Sequence, residues 1–218
     1  MLRSYKNQLC GAIERRSVGN PVDNVKKERV VELVTALVST PSITNQEQEI
    51  SDWAYEHFRS MGLSGVQRLP VEDSGDSVIG WIDGPADGPV FMFNFHMDTF
   101  PICDGWETDP LVPTLEDGRL YGLGSHDMKG GGACVLAAVE ALLASGVELG
   151  GRLLVSGTTD EENWSRGAHA LIQSGMLEGC QGCLIPEPAA PATLTVGARG
   201  RHVYHLVFRG KTAHAAYD

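Results

Sequence analysis

Apolar runs of strand length alternate with segments of helical periodicity across most of the chain. Helices are predicted at 26–40, 45–61, 131–145 and 166–174, and strands at 77–83, 90–95, 153–157 and 182–186. Asn45 is the predicted N-cap of the second helix. Because strands that alternate with helices build layered domains, the predicted fold class is α/β, with a mixed, largely parallel central sheet flanked by helices.

The pattern changes after Pro186. Thr193–Val196 and His202–Arg209 have the composition of two strands around a glycine-containing turn, which predicts the start of a small α+β domain. The predicted organisation is an N-terminal extension over 1–25, a main domain over 26–197 and the beginning of another domain over 198–218. Since no helix or partner strand follows the last predicted strand, we expect the chain to be truncated at its end.

Charge and composition argue against several classes of protein. The chain has 17 basic and 28 acidic residues, a net charge of −11, and no cluster of Lys and Arg, so no nucleic-acid partner is expected. No apolar run approaches the roughly 20 residues that span a bilayer, and the N-terminus lacks the apolar stretch of a signal peptide. We therefore expect a cytoplasmic protein with no membrane partner. The lone C-x-x-C pair, Cys180 and Cys183, does not by itself indicate a zinc site.

The first candidate site residues follow the strand predicted to end at Phe95. His96 offers an imidazole nitrogen to a metal ion, and Asp98 offers a carboxylate that can hold the other ring nitrogen. Taken alone, such a motif is more often a structural hydrogen-bonded pair. Its position favours a functional role, because open α/β sheets assemble their sites at the ends of strands.

A glycine-rich loop over residues 122–132 precedes the third predicted helix and carries Asp127. Amides at a helix start attract anions, but this loop lacks the motif of a phosphate-binding loop and has Asp127 where the dinucleotide fingerprint requires glycine. We interpret Asp127 as a metal ligand whose two oxygens can bridge two cations. His126 beside it is expected to be a loop residue or a support for the ligands.

Acidic residues follow two further predicted strands. Residues 160–162 are three successive acids, and Glu187 lies between two prolines. An exposed acidic turn explains the run of three; alternatively, one of its two glutamates coordinates a metal while its neighbour acts as general base. Together with the histidine and aspartate ligands proposed above, Glu187 would complete a three-ligand catalytic zinc site with room for water.

Five motifs, in order, resemble those of the cocatalytic zinc metallopeptidases, a family that includes acetylornithine deacetylase, succinyl-diaminopimelate desuccinylase, aminoacylase and glutamate carboxypeptidase. The motifs are His96–Thr99, Gly124–Gly131, Asp160–Glu162, Pro186–Pro188 and Gly210–Ala215. The resemblance implies that residues 26–197 are the N-terminal part of a zinc-binding catalytic domain. Residues 198–218 would begin a lid or dimerisation domain, and the family's last zinc ligand, a more C-terminal histidine, would be missing.

The resemblance also implies a role for each candidate residue. His96 and Glu187 would bind one zinc ion, Asp127 would bridge two ions, and Glu162 would bind the second. Asp98 would orient His96, Glu161 would be the general base, and His214 would contact substrate, often across a dimer. These roles imply two Zn²⁺ ions in a complete active site, although cobalt and manganese also suit such ligands.

The function predicted is hydrolysis of the amide bond of an N-acyl amino acid or small peptide by a zinc-activated water. The expected partners are that small-molecule substrate and, in a full-length form, a second copy in a homodimer. A serine mechanism is not indicated, because the chain has no G-x-S-x-G motif. The alternative is a catalytically incomplete fragment that binds metal weakly or acts only as an interaction partner.

Overall fold

The computed structural model describes residues 20–190, 192–197, 200, 204 and 206–211. A short 3-10 turn, Pro21–Asn24, precedes the first helix. The helices are α1 (Lys27–Ser39), α2 (Gln48–Ser60), α3 (Gly130–Ser145) and α4 (Arg166–Gln173). The strands are β1 (Gly65–Leu69), β2 (Ser77–Ile82), β3 (Val90–His96), β4 (Thr114–Glu116), β5 (Arg119–Tyr121), β6 (Arg152–Thr158) and β7 (Cys180–Leu184).

Five strands form one sheet in the order β1-β2-β6-β3-β7, and β4 pairs with β5 in a separate hairpin. The strand β2 is antiparallel to both of its neighbours, whereas β3 is parallel to β6 and to β7. Four of the five strands therefore run in one direction. The prediction of a mixed, largely parallel sheet in an α/β domain is confirmed.

The two faces of the sheet contribute to separate hydrophobic clusters. Alternate residues of β2 divide between them, because Val78 lies in a cluster with α1, α2 and α3, whereas Ile79 lies in a cluster with Leu171 of α4. This division follows from the period of two along a strand, which points neighbouring side chains to opposite faces. Helices on both faces leave the strand ends as the accessible edge of the layered domain.

Small residues at the start of α3 allow this helix to lie close to β3. A Cβ atom on Gly132 would lie 2.6 Å from Cδ2 of Phe95, a side chain that is fully buried. One helical stretch among the described residues, Ser125–Ser145, is long and apolar enough to cross a membrane by length and composition, and half of its apolar window is buried inside the molecule. This stretch contains α3, which forms much of the main core.

Several local expectations differ from the structure. Asn45 is not an N-cap: its φ of 68° places it in a turn, and α2 begins at Gln48. The strand β1 and the β4–β5 hairpin have too few apolar residues to be recognised as strands from the sequence. Residues 193–196 form no strand, and neither do the described residues between 204 and 209.

The described chain divides into one compact unit that ends at Pro188 and another that begins at Ala189. This division lies nine residues before the predicted end of the main domain at residue 197. Pro21–Asn24, placed by prediction in an N-terminal extension, contacts α3, where the Asn24 side chain donates to the carbonyl of Ala141. The three-part domain organisation stays a prediction.

Candidate metal centre

The candidate site lies at the edge of the sheet where the parallel strands β3, β6 and β7 end. His96 is the last residue of β3 and is paired in register with Thr158, the last residue of β6. Glu187 follows the end of β7 by three residues. Asp127 comes from the kinked turn Ser125–Lys129, directly before α3, and its own backbone angles, φ −117° and ψ 104°, are not helical. Parallel pairing thus brings together residues that are far apart in the sequence.

His96 is the centre of this cluster. Its Nε2 atom lies 3.1 Å from Oδ1 of Asp127, 3.6 Å from Oε1 of Glu187 and 3.9 Å from Oε2 of Glu161. The imidazole is 2% exposed, whereas the side chains of Asp127 and Glu187 are 54% and 42% exposed. The buried ring therefore presents one nitrogen to a group of carboxylates that solvent can reach.

Two sets of candidate ligands share this histidine. One set is His96, Asp127 and Glu187, and the other is His96, Glu161 and Glu162. Within each set the candidate ligand atoms all lie within 4.8 Å of one another. The structure therefore brings together five of the residues that the sequence indicated, although their separate roles as ligand, bridge or base stay predictions.

Asp98 is fully buried behind the cluster. Its carboxylate accepts hydrogen bonds from the backbone amides of Glu161 and Glu162, each at 3.1 Å, and from the hydroxyl of Thr44 at 3.1 Å. Nδ1 of His96 lies 3.0 Å from the Asp98 carbonyl oxygen and 3.5 Å from the carboxylate, so the backbone contact is the shorter one. Asp98 thus contacts both the histidine and the acidic turn.

The electrostatics of the cluster reflect an excess of negative charge. Burial lowers the pKa of His96, but contacts with Asp98 and the charges of Glu187 and Glu161 outweigh it and raise that pKa to about 9. Burial raises the pKa of Glu162 to about 7, opposed by His96 and assisted by Asp127. The pKa of Glu187 is raised for the same reasons. In each case the shift favours the protonated form, which carries one more positive charge.

Lys129 supports the turn that carries Asp127. Its side chain is 2% exposed, and its ammonium donates to the carbonyls of Leu37 and Thr40 at 2.8 and 2.9 Å, near the C-terminal end of α1. Burial lowers the pKa of Lys129 to about 7, although the charge of Asp98 opposes this effect. These two hydrogen bonds connect the turn before α3 to the C-terminal end of α1.

The donor set suits a divalent cation. With a proton on Nδ1, bonded to the Asp98 carbonyl, His96 directs the Nε2 lone pair at the carboxylates. Imidazole and carboxylate ligands together are typical of zinc, cobalt and manganese sites. A dication would also offset the burial and the neighbouring negative charges that raise the pKa values of Glu162 and Glu187. The residues present therefore fit one or two such ions.

Two supporting residues were not identified from the sequence, and two histidines stay unassigned. Thr44 lacked any signal, and Lys129 was noticed only as part of the glycine-rich loop, although a lysine at the start of an apolar helix is a usable signal. His126 is exposed and belongs to neither of the ligand sets found in the described residues. His214 lies outside the described residues.

The fold and the site together define a layered α/β protein with a candidate metal centre at the carboxyl edge of its sheet. Residues 92–214, which are more than half of the chain, match the family model of Peptidase family M20/M25/M40. The chain belongs to this family.

Similar proteins agree with this assignment. The chain is 31% identical over 208 residues to a succinyl-diaminopimelate desuccinylase of Methylobacterium radiotolerans, covering 90% of this chain and 53% of that protein. The structure of human carnosine dipeptidase 1 matches with a TM-score of 0.63 and 24% identity, over 72% of this chain and 38% of that one. A Bacillus subtilis protein described as a dinuclear metal binding peptidase from the M20 family matches with a TM-score of 0.50 and 22% identity, over 72% and 42%. The chain spans about half the length of the curated relatives it matches.

Proposed function

We propose that this protein is a metal-dependent hydrolase that cleaves the amide bond of an N-acyl amino acid or small peptide. The observation that carries the proposal is the convergence of His96, Asp127 and Glu187 from three separate segments. Family membership and the activities for which two similar proteins are named, a desuccinylase and a dipeptidase, support the choice of an amide substrate. We also propose that the protein is cytoplasmic and that its full-length form is a homodimer.

Zinc is the proposed metal, with two ions in the complete site. His96 and Glu187 would hold one ion, Glu162 the other, and Asp127 would bridge them. A bound dication supplies a water of lowered pKa and positive charge near the oxygen that becomes negative during amide hydrolysis. The B. subtilis protein described as a dinuclear metal binding peptidase supports the choice of two ions.

Glu161 is the proposed general base. Its carboxylate lies on the open side of the cluster, 47% exposed, with Oε2 3.9 Å from Nε2 of His96. At this position it can accept a proton from an attacking water and deliver it to the leaving amine. The amide of the same residue is held by Asp98, which limits where the carboxylate can move. His214 is proposed to contact substrate.

The proposal is tested by metal analysis and turnover together. Zinc bound per chain is measured by plasma mass spectrometry, and hydrolysis is assayed on succinyl-diaminopimelate, N-acetyl amino acids and dipeptides. We expect two zinc ions and turnover of one of these substrate classes. In Glu161→Gln, turnover should fall by about 100-fold or more while zinc binding persists, because a general base contributes at least this factor.

Glu178→Gln is the matched control, since it makes the same substitution at an exposed acid outside the cluster and should retain full turnover. A Glu161→Gln enzyme with unchanged turnover would remove the general base from the proposal. A chain that binds two zinc ions but hydrolyses none of the three substrate classes would contradict the amide substrate.

A second candidate function follows from the length of the chain relative to its relatives. Because it covers 53% of the desuccinylase, it is also consistent with a catalytically incomplete fragment that binds metal weakly or acts only as an interaction partner. One zinc ion or none, together with absent turnover on every substrate above, would favour this alternative over the enzyme.

A further inference from the structure

A cavity of about 470 Å³, outside the candidate metal centre, lies at the N-terminal end of α2. It is lined by residues 45–48 and 73–75. These residues include the carboxylates of Glu47 and Asp73, the hydroxyl of Ser74 and the side-chain amide of Asn45. None of these residues has a part in the proposed hydrolysis.

Glu47 is the unusual residue of this cavity. It is completely buried, and neither of its carboxylate oxygens accepts a well-aligned hydrogen bond. The hydroxyl oxygen of Ser74 is also buried without a partner. A buried carboxylate without compensation is costly, so such a group either takes up a proton or meets a cation.

The pKa of Glu47 also indicates a carboxylate that is poorly compensated. Burial raises it, and the charge of Asp98 adds to the rise. The backbone amides of Asn45 and Glu47 and the Ser74 hydroxyl lie close enough to oppose this rise, but they do not form aligned hydrogen bonds with the carboxylate. The cavity therefore surrounds a negative group that its own donors satisfy only in part.

The nearby cation Arg166 is committed to other acceptors. Its Nε donates to Asp160 at 2.8 Å, its Nη1 to the Glu72 carbonyl at 2.7 Å, and its Nη2 to Oδ1 of Asn45 at 2.7 Å. Its closest approach to the Asp73 carboxylate is 3.8 Å. Arg166 is thus paired with Asp160 and approaches Asp73, and none of these contacts reaches the carboxylate of Glu47.

We propose that this cavity is a binding site for a calcium ion, separate from the catalytic metals. The ligands would be the carboxylate of Glu47, the hydroxyl of Ser74 and the carboxylate of Asp73, with water completing the shell. All of these are hard oxygen donors, and calcium accepts six to eight of them in flexible geometry, whereas magnesium demands a smaller, near-ideal octahedron. The 84% exposed side chain of Asp73 provides an open approach.

Calcium at this position would join the loop at residues 73–75 to the start of α2. Thr44, three residues before Glu47, donates to the carboxylate of Asp98. The expected effect is therefore stabilisation of the segment that supports the metal centre, with no part for calcium in the chemistry of hydrolysis.

The test is thermal unfolding of the zinc-saturated protein in 2 mM CaCl₂, 2 mM MgCl₂ or sodium chloride of equal ionic strength. We expect calcium to raise Tm by about 3–6 °C and to do so saturably, since a ligand that binds only the folded state shifts the unfolding equilibrium. Magnesium should give less than half of this shift, and sodium chloride should give none.

Four variants test the position of the ion. Glu47→Gln should abolish the calcium shift, whereas Glu49→Gln, the same change at an exposed position on α2, should keep it. Asp73→Asn should weaken calcium binding by about tenfold and leave Tm without calcium unchanged, because its side chain lies at the surface. If Glu47→Gln does not fold, Asp73→Asn and Ser74→Ala still decide the question.

The proposal is overturned by either of two results. One is a wild-type Tm that calcium does not change. The other is an equal calcium shift in the wild type and in Glu47→Gln, which would place the ion elsewhere. If Glu47→Gln without calcium is more stable than the wild type and calcium acts on neither protein, Glu47 carries a proton instead of a cation. Zinc content and hydrolysis are measured separately, so this outcome is distinct from failure of the proposed hydrolase.

Discussion

The carboxylate of Asp98 accepts hydrogen bonds from the amides of Glu161, the proposed general base, and Glu162, a proposed zinc ligand. In Asp98→Asn one oxygen becomes an NH₂ group, which faces these N–H donors and cannot accept from them. We expect zinc affinity to fall by about 10–100-fold, as for other residues that support metal ligands. The free energy of unfolding should fall by about 1–3 kcal/mol, because a buried donor loses its partner.

Competitive zinc titration and urea unfolding measure these two effects. Thr44→Val is the graded control, because it removes one donor to Asp98 and leaves both amide contacts in place. Its effect on zinc affinity should be clearly smaller. Equal losses in the two variants would show that Asp98 does not position the acidic turn.

The metal-free protein should become less stable as pH rises from about 5 to 7. Burial lowers the pKa of His96, but Asp98 and neighbouring acids outweigh it and raise that pKa to about 9. The contribution of protonated His96 to stability is therefore complete below pH 6.5 and is lost as pH approaches 9. Burial raises the pKa of Glu162 from 4.5 to about 7, so the native state binds a proton more tightly than the unfolded state does. The stability that this proton contributes is lost as pH rises from 4.5 to about 7. Both groups act in the same direction up to pH 7, whereas above pH 7 the pKa of Lys129, which burial lowers to about 7, makes stability rise with pH and opposes the loss at His96.

Zinc should reverse this dependence, because its ligands bind only after they lose protons. Urea midpoints at three pH values, with and without zinc, measure the two curves. Glu162→Gln should flatten the metal-free curve between about pH 5 and 7 and leave the part above pH 7. A metal-free midpoint that increases across the whole range would contradict these assignments.

At the scale of elements, two successive glycines of α3 contact different parts of the site. A Cβ on Gly132 would meet the buried ring of Phe95, whereas a Cβ on Gly131 would collide with the carbonyl of Pro186, the residue before Glu187. Gly132→Ala should therefore reduce the free energy of unfolding by about 1–3 kcal/mol through overpacking. Gly131→Ala should chiefly displace Glu187 and weaken zinc binding.

The two variants control for each other, since both make the same substitution in one turn of helix. Differential scanning calorimetry and zinc titration are measured on each. The expected result is a larger loss of Tm in Gly132→Ala and a larger loss of zinc affinity in Gly131→Ala. If both variants lose only stability, the contact with Pro186 has no influence on the site.

Sequence reasoning succeeded for elements that carry a strong hydrophobic signal and failed for those that do not. The strands β3 and β6 are nearly continuous apolar runs, and their observed ends lie within one residue of the predicted ends. The edge strand β1, GVQRL, alternates too weakly to be recognised. Asn45 resembled an N-cap because asparagine favours both caps and left-handed turns, and only the tertiary structure decides between them.

The site was predictable where its residues follow strands, because the carboxyl ends of parallel strands meet at one edge. This reasoning singled out His96, Glu187 and the acidic turn. It could not find Thr44 or the buried contacts of Lys129, since each depends on distant backbone that the sequence does not display. It also could not indicate that Glu47 is buried without a partner, because a glutamate near a helix start is ordinarily exposed.

At the scale of the whole molecule, an unpaired sheet edge predicts self-association. Within the described residues β7 has β3 on one side and no strand on the other. Leu184 and Ile185 are 44% and 48% exposed at this edge, and Phe91 on the neighbouring strand is 41% exposed. Free N–H and C=O groups beside exposed apolar side chains form a template for pairing with another chain. The 218-residue chain should therefore form concentration-dependent oligomers.

Light scattering coupled to size-exclusion chromatography measures this at several protein concentrations. Leu184→Lys should increase the monomer fraction, because a lysine on an edge strand opposes edge-to-edge pairing. Val112→Lys introduces the same charge at an exposed apolar residue outside the sheet and should leave the distribution unchanged. Two lysine variants with equal effects would indicate that net charge, rather than the β7 edge, controls association. A chain that stays monomeric at every concentration would show that this edge is already covered in solution.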